Sequence, residues 1–369
     1  GATIGASASE ETVEVSCVGL KRTFARAAGL FGAAITAPNF SEADFERVRG
    51  LTVQGLEQEN EDPRSIARTI GMRTLLGAAN PYSSPASGTP ESVSALTLDD
   101  VKKCHGSLAD AGSAVLLLSG DLSEAEARAM FEPLLGGLPR SEAGVKVRGD
   151  YSIPGATGRR LIIVDRPAAT QTLISIIMPG SRYEDPRRVQ LEMVNTIFGG
   201  SFTSRLNQNL RETHGYTYGA RSGFMMAPSL GVFSAGASVQ AEVTGAALAE
   251  FMGEFERIVS GDIGANEATK ARETVRNDAV RGFGPLSGVL ESASTVLAAG
   301  LPYETLVRDF AAMQRGTVAD LNRLAQQGIA FDRAVIVLVG DRGQIVEQIK
   351  DLPLPPPKFL NPDGTPAAE

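Results

Sequence analysis

The chain has 369 residues, of which 43% are apolar and 21% are charged, as is typical of a globular protein. This length exceeds the usual size of one hydrophobic core and predicts two domains of about 150–200 residues each. The formal net charge of −8 argues against a nucleic-acid-binding face. No run of about 18 uncharged apolar residues is present, so no membrane span is predicted.

The amino-terminal region alternates apolar and polar residues with the period of a half-buried strand. In the stretch TVEVSCVGL, Val13, Val15 and Cys17 fall on one face. The chain begins with Gly1, in the middle of a strand-like pattern, so we expect the natural polypeptide to extend upstream. Cys17 and Cys104 could pair in an oxidising compartment, but two buried free thiols are the favoured interpretation.

A helix is predicted over residues 41–59, SEADFERVRGLTVQGLEQE. Its apolar residues recur at helical spacing, and Ser41, with Asp44 three positions later, is suited to the N-cap. These apolar residues are Phe45, Val48, Leu51 (or Thr52) and Leu56. Further along, the Gly-rich and polar stretch between about 143 and 160 predicts a linker between domains.

The second half begins with two predicted strands, RLIIVD and TLISIIM. A helix is predicted at 186–198, and a second one, AALAEFMGEFERIVSG, carries an apolar stripe and ends at Gly261 as a natural C-cap. The tail DLPLPPPKFLNPDGTPAAE contains too much proline for a helix or a sheet, so we expect it to lie extended.

An internal repeat organises these elements. Residues 96–121 align without gaps on 316–341 at an offset of 220, with seven identities, and each stretch predicts a helix, a loop and a buried strand. Pro81-Tyr82 matches Pro302-Tyr303 at an offset of 221. We therefore predict an α+β protein with two homologous domains, each a mostly antiparallel sheet packed against helices. On this offset the first copy is short by about 60–70 residues at its amino end.

The predicted boundaries are 1–148 for the first domain, 159–352 for the second and 353–369 for a Pro-rich tail. This layout, together with GATIGASASEETVEV and NTIFGGSFTSRLNQNLRETHGYTYGA, resembles the insulinase-like (pitrilysin) metallopeptidase family. The bacterial branch and the mitochondrial processing-peptidase subunits are the most similar members. The resemblance is strongest over 183–220 and implies a chain that forms half of a clam-shell chamber.

Active members of that family bind zinc through an H-x-x-E-H helix in the first domain and a glutamate on a later helix. Zinc hydrolysis needs three fixed ligands and a carboxylate base. The histidines of this chain are His105 and His214, and neither belongs to such a motif, in either direction. The resemblance places the distal ligand position at Gly55, with Gln54 as the alternative. We therefore predict no metal site and no cofactor in this chain, and zinc on a partner subunit.

Two glutamates lie close to that position, but their spacing turns them to other sides of the helix, where we expect solvated charges. They are Glu57 and Glu59. The glycine-containing motifs predict no nucleotide site either. GGSFTSR lacks the lysine and the spacing of a phosphate-binding loop, and GATIGA has no helix start after it. Gly199 and Gly200 are instead predicted to end a helix in the left-handed conformation.

Residues 209–220, NLRETHGYTYGA, contain the candidate site. In the family, the second domain carries an arginine and, seven residues later, a tyrosine, which bind the peptide and polarise its scissile carbonyl. Arg211 and Tyr218 have this spacing, and the resemblance implies that they are catalytic and bind substrate. A helix over 203–211 and a strand over 216–224 would bring both to one junction.

Tyr216 would alternate with Tyr218 along that strand and share in substrate binding. His214 is predicted to be a loop residue that contacts substrate rather than a catalyst. From spacing alone, a plainer interpretation remains open, in which Arg211 is a surface ion-pair residue and Tyr218 a half-buried strand aromatic.

Two classes of function follow. The first is a non-zinc-binding subunit of a heterodimeric zinc metallopeptidase, which binds peptide and supplies Arg211 and Tyr218 to a partner chain that has H-x-x-E-H. The alternative is a catalytically inert scaffold or assembly subunit of the same fold. A self-sufficient peptidase is disfavoured by Gly55 and Gln54. Related bacterial proteins suggest a periplasmic location, with the cytoplasm as the alternative.

Overall fold

The computed structural model describes residues 1–141, 151–155 and 158–367, and its fold is α+β, as the sequence predicts. The strands are β1 (Ala2–Ala8), β2 (Val13–Gly19), β3 (Arg160–Asp165), β4 (Gln171–Pro179), β5 (Arg221–Met226), β6 (Gly231–Gln240), β7 (Val335–Gly340) and β8 (Pro357–Leu360). The helices are α1 (Lys21–Thr36), α2 (Glu42–Glu59), α3 (Pro63–Leu76), α4 (Pro90–Ser94), α5 (Leu98–Leu108), α6 (Glu124–Leu135), α7 (Arg188–Asn195), α8 (Arg205–Asn207), α9 (Thr244–Ser260), α10 (Ala265–Gly282), α11 (Leu286–Ala298), α12 (Glu304–Met313), α13 (Val318–Gly328) and α14 (Arg342–Ile349). Within the described residues, none of these helices combines the length and the apolarity needed to cross a bilayer.

The chain divides into two compact units that are interleaved in sequence. Unit 1 comprises Gly1–Glu57, Pro85–Gly149 and Phe283–Ala298, and unit 2 comprises Gln58–Ser84, Asp150–Gly282 and Ala299–Glu369. The domain boundaries drawn from the sequence therefore stay a prediction. Most of the predicted linker, namely residues 143–150 and 156–157, lies outside the described residues.

Unit 1 is built on the antiparallel pair β1–β2, whose register runs from Ala2 opposite Gly19 to Ala8 opposite Val13. A small apolar cluster of Ala28, Phe31 and Phe131 joins α1 to α6. Both cysteines are free thiols, but the prediction that they are buried is wrong. Cys17 is half-buried on β2 and Cys104 is exposed on α5, because this small cluster does not extend over α5.

The strand predicted within 96–121 is also absent. The helix of that stretch is α5, but residues 115–118 are not part of a strand, and Val115, Leu116 and Leu118 are exposed. A strand is stable only when neighbouring strands satisfy its backbone groups. In the described part of unit 1 the only ladder is the one between β1 and β2, and it does not include this segment.

Unit 2 contains a six-stranded sheet in the order β5-β6-β4-β7-β3-β8. The pairs from β5 to β7 are antiparallel, whereas β3 pairs in parallel with both β7 and β8. β3 and β4 fall where the sequence predicts them. Side chains of β7 alternate between the two faces, with Ile336 and Leu338 in one apolar cluster and Val335, Val337 and Val339 in the other.

Helices cover both faces of this sheet. The larger cluster takes side chains from α7, α9 and α13, and the smaller one takes them from α3, which packs against β4 and β7. α9 ends at Gly261 in the left-handed conformation (φ +88°), as predicted. In contrast, the prediction that the Pro-rich tail joins no sheet is wrong, because β8 pairs with β3 at the sheet edge. An edge strand needs donors on only one side, so Pro357 at its first position is tolerated.

Candidate functional site

The predicted site residues lie in one segment of unit 2, between Thr196 and Ala220. This segment starts with a π-helical turn, Thr196–Gly200, then forms α8 and a second π-helical turn, Gln208–Thr213. The helix predicted over 203–211 is therefore present, but it widens to the i→i+5 hydrogen-bond pattern from Gln208 onward. Such π turns occur often at functional sites, and Arg211 is on the second one.

The strand predicted over 216–224 starts too early, because β5 begins at Arg221. Thr217 accounts for the difference, since its Oγ1 donates to the carbonyl of Ser238 (2.7 Å) and accepts from the N–H of Gly219 (3.2 Å). Such side-chain bonds compete with a regular ladder. Tyr216 and Tyr218 therefore lie in an irregular segment before β5, and they do not share one face of a strand.

Arg211 is held at the surface by an aromatic ring. Its guanidinium carbon lies 4.3 Å from the centroid of the Phe202 ring, a cation–π distance. Its Nε is 3.5 Å from Oε1 of Glu212, which makes a weak, exposed ion pair. Across residues 1–141, 151–155 and 158–367, the guanidinium has no hydrogen-bond acceptor besides this weak ion pair. The side chain, 34% exposed, therefore has N–H donors available for a ligand.

Tyr218 is 95% exposed, so it is not a half-buried strand aromatic. Its phenol has no hydrogen-bond partner in the part of the chain that the structure describes. Phe202 is 67% exposed. Large aromatic side chains usually bury much of their surface in a folded chain, and tyrosine and arginine are enriched where proteins bind partners. The exposed side chains of this segment are thus suited to an intermolecular contact.

Tyr216 and His214 occupy a different environment. Tyr216 is half-buried against the larger apolar cluster of unit 2 and stacks on the imidazole of His214, with centroids 4.9 Å apart and rings 20° from parallel. Nε2 of His214 lies 3.7 Å from Oε1 of Glu250 on α9. The structure therefore brings together His214 with Tyr216 and Arg211 with Phe202. No described contact joins Tyr218 to either pair.

An ion-pair cluster that the sequence does not predict surrounds the buried side chain of Arg205 in this segment. Arg205, with a nearly buried side chain, contacts Asp262 and donates to Glu267 at 2.7 Å. Burial alone would lower the pKa of the Arg205 guanidinium, but hydrogen bonds to Glu267 and Asp262 raise it above the ordinary arginine value. The bond from Arg205 in turn lowers the pKa of the Glu267 carboxyl. These partners are about 60 residues away in sequence, so no local pattern signals the cluster.

A polar cavity of about 410 Å³ adjoins the cluster, and its lining includes Asn209, His214, Glu254 and Lys270. Nδ2 of Asn209 donates to Glu250 (2.8 Å) and to Glu254 (2.9 Å), which ties the second π turn to α9. Neither Arg211 nor Tyr218 lines this cavity. The predicted arginine and tyrosine are therefore outer-surface residues, separate from the cavity.

Neither Gly55 nor the two histidines belongs to a metal site in the part of the chain that the structure describes. Gly55 is exposed on α2, and a Cβ added there would meet no other atom. His105 belongs to unit 1, where its Nε2 lies 2.9 Å from the carbonyl oxygen of Ile35, whereas His214 belongs to unit 2. In the described ranges, no group of three or more His, Cys, Asp or Glu side chains is arranged to hold a metal ion.

Gly199 and Gly200 are required for close approach, not for a left-handed cap. Neither has a positive φ, contrary to the prediction. A Cβ on Gly199 would lie 2.7 Å from the backbone nitrogen of Ser222, and one on Gly200 would lie 3.0 Å from the carbonyl oxygen of Asn195. The Gly199 contact packs the first π turn directly against the start of β5, whereas the Gly200 contact is with Asn195 at the end of α7.

Residues 95–275 match the family described as Peptidase M16 inactive domain. An uncharacterized zinc protease of Streptomyces coelicolor is 26% identical over 207 residues, which covers 54% of this chain and 44% of that protein. An uncharacterized zinc protease of Mycobacterium leprae is 26% identical over 301 residues, which covers 77% of this chain and 63% of that protein. The chain thus spans roughly half to two thirds of the length of these two relatives.

Solved structures show the same fold. A peptidase M16 inactive domain from Pseudomonas fluorescens superposes with a TM-score of 0.84 at 24% identity, covering 92% of this chain and 81% of that one. A chain of complex III2 from Candida albicans superposes with a TM-score of 0.77 at 14% identity, covering 95% of this chain and 83% of that one.

The α+β architecture and the matched region define a domain of the M16 inactive type. This match confirms the resemblance to the insulinase-like (M16) peptidase family that was drawn from the sequence.

Proposed function

We propose that this chain is the non-zinc-binding subunit of a heterodimeric zinc metalloendopeptidase. It would bind a peptide substrate and supply Arg211 and Tyr218 to the active site of a partner chain. The observation that carries this proposal is the pair of exposed donor side chains in a domain of the inactive M16 type. Arg211 has guanidinium N–H groups without a described hydrogen-bond acceptor, and seven residues later Tyr218 is 95% exposed.

The chemistry of the two side chains suits carbonyl binding. Arginine can donate two parallel hydrogen bonds to a carbonyl or a carboxylate oxygen pair, and its charge strengthens them. A phenol can donate one more bond to an oxygen that gains negative charge during hydrolysis. His214 and Tyr216, stacked beside the polar cavity, are proposed to contact the peptide away from the reacting carbonyl.

The partner is proposed to be a homologue with an H-x-x-E-H helix. Zinc on that partner would supply the activated water, and this chain would position the carbonyl. Gly55 and Gln54 support this division of roles, because neither can provide an anionic ligand at the position that the family uses. The partner's identity can be sought in the neighbouring reading frame.

The test is to reconstitute the chain with that homologue and measure kcat and KM on an unstructured peptide. Removal of one preorganised donor typically lowers turnover by about 10²–10³. We expect Tyr218→Phe to lower kcat on this scale while assembly is unchanged, since one exposed hydroxyl is lost. Arg211→Ala is expected to raise KM as well. Tyr303→Phe, at another exposed tyrosine of unit 2, is the matched control and should behave like wild type.

The alternative is a catalytically inert scaffold or assembly subunit. It is favoured by the name of the matched family and by the structural likeness to a chain of complex III2. A complex in which both Tyr218→Phe and Arg211→Ala retain wild-type kcat and KM would support the scaffold and contradict the donor role.

For the compartment we propose the periplasm, with the cytoplasm as the alternative. The proposal depends on the resemblance to bacterial family members. Fractionation of cells that express the natural gene would decide between them, because the periplasmic fraction is released by osmotic shock without lysis.

A further inference from the structure

Phe202 occupies an unusual position for a large aromatic side chain. It lies between the first π turn and α8, and the residue is 67% exposed. The backbone on its amino side is fixed by Ser201, whose Oγ donates to the carbonyl of Thr196 at 3.0 Å and whose own carbonyl accepts from Asn207 at 3.1 Å. These two hydrogen bonds fix the backbone that immediately precedes Phe202.

The ring contacts Arg211 in a way that leaves the guanidinium donors free. The guanidinium carbon lies over the ring at 4.3 Å from its centroid. In a cation–π contact the ring attracts the charge without accepting the N–H groups of the cation in ordinary hydrogen bonds. Those groups point outward in the plane of the guanidinium, and Glu212, at 3.5 Å from Nε, restrains only one edge.

We propose that Phe202 is a positioning residue for peptide binding, which orients Arg211 so that its N–H groups meet a peptide carbonyl. This inference depends on the proposed function, in which Arg211 binds substrate. An arginine side chain on its own samples many rotamers, and holding it in one orientation before binding lowers the entropy lost when the peptide arrives. Exposed cation–π contacts have strengths that correspond to about a two- to fivefold change in an equilibrium constant.

Two substitutions at Phe202 distinguish the effect of its aromatic face from the effect of its apolar volume. Phe202→Leu keeps an apolar side chain but removes the π face, and Phe202→Trp provides the ring that binds cations best. Tyr303→Leu is the matched control, because Tyr303 is an exposed aromatic of unit 2 with no described arginine contact. Phe202 is exposed, so neither variant at this position opens a cavity in the core.

The experiment uses the full chain and two readouts. The first is the proton chemical shift of the Arg211 Nε–H group by NMR, which the ring current of Phe202 displaces. The second is the Kd of a fluorescein-labelled Gly/Ser-rich peptide, measured by anisotropy. We expect Phe202→Leu to remove the ring-current shift and weaken binding about two- to fivefold, and Phe202→Trp to restore both. In the Arg211→Ala background, Phe202→Leu should have no further effect on Kd.

The outcomes distinguish this inference from the function on which it depends. If Phe202→Leu removes the ring-current shift but leaves Kd unchanged while Arg211→Ala weakens binding, Phe202 has no positioning role and the proposed function stands. If Arg211→Ala binds the peptide as tightly as wild type, both are overturned.

Discussion

The two copies of the repeated stretch begin alike and then differ. α5 and α13 start with the same capping box, in which Oγ1 of Thr97 or Thr317 accepts from a backbone N–H three residues later, at 3.2 and 3.1 Å. Beyond the helices, residues 335–340 form β7 at the centre of a sheet, whereas residues 115–120 form no strand. Four neighbouring residues suffice to specify a cap, but a strand depends on partners elsewhere in the chain.

The helices of the two copies, α5 and α13, also differ in how much of their surface is packed against the rest of the protein. α13 buries Leu321, Leu324 and Ala325 and packs against α7 and α9, while α5 has no buried residue. Helical stability in proteins comes mainly from such packing of an apolar face. The comparison therefore separates what the local sequence encodes from what tertiary contact adds.

The largest expected effect comes from truncating the leucine at equivalent positions of the two copies, Leu338 and Leu118. Leu338 is 0% exposed in β7 and Leu118, at an offset of 220, is 40% exposed. Leu338→Ala removes methyl groups from a packed core and should lower the free energy of unfolding of unit 2 by about 2–5 kcal/mol. Leu118→Ala should change the stability of unit 1 by less than about 0.5 kcal/mol.

Urea unfolding followed by circular dichroism would measure the overall shift. Hydrogen exchange of peptides from each unit would assign it, because a chain with two units need not unfold in one step. Equal losses for the two variants would mean that residues 115–118 are packed like β7, against the exposure described above.

The same distinction explains how much of the fold follows from sequence. β3, β4, α2 and the end of α9 at Gly261 agree with prediction, because periodicity and caps are short-range signals. The exceptions depend on distant residues. β8 forms because β3 presents a free edge to the Pro-rich tail, and residues 115–118 remain outside any strand because no described neighbour pairs with them.

The candidate site, like the fold, could be predicted from the sequence only in part. The spacing of Arg211 and Tyr218 is visible in the sequence, and so is the position of His214 next to a turn. The contact between Arg211 and Phe202 forms in a segment with two π turns, which no short-range sequence pattern signals. The only signal that could have suggested it is an aromatic residue in a glycine-rich turn shortly before the arginine.

A smaller effect should appear at the caps, where the two copies agree. Thr317→Ala and Thr97→Ala each remove the acceptor of one helix N–H group, and an N-cap of this kind typically contributes about 1 kcal/mol. We expect local opening of both helices to become easier by similar factors, measured by hydrogen exchange of their first turns. The Ser variants at both positions keep the hydroxyl and serve as controls. A loss confined to α13 would indicate that the cap of α5 is not formed in solution.

The smallest expected effect is on the pKa of the aspartate in each capping box, Asp100 in α5 and Asp320 in α13. The hydroxyl of Thr97 or Thr317 donates to Asp100 or Asp320, and this hydrogen bond, followed by one from the backbone, lowers the pKa of each carboxyl below its ordinary value. A lowered folded-state pKa contributes stability that is complete above the unfolded value of about 3.9 and disappears as the pH falls through the folded value. The benefit of the box should therefore be present at neutral pH and fade in acid.

Carboxyl titration by carbon-13 NMR would follow both acids directly. In Thr317→Ala, the pKa of Asp320 should move back toward its ordinary value while that of Asp100 is unchanged, and the reverse should hold for Thr97→Ala. Because both boxes are exposed and close within one turn, each should respond to its own substitution alone, whatever packs on the rest of the helix. If the substitution in α13 moved Asp320 but the substitution in α5 left Asp100 unchanged, the caps would depend on tertiary packing. The conclusion that the two capping boxes are specified by the local sequence alone would then be wrong.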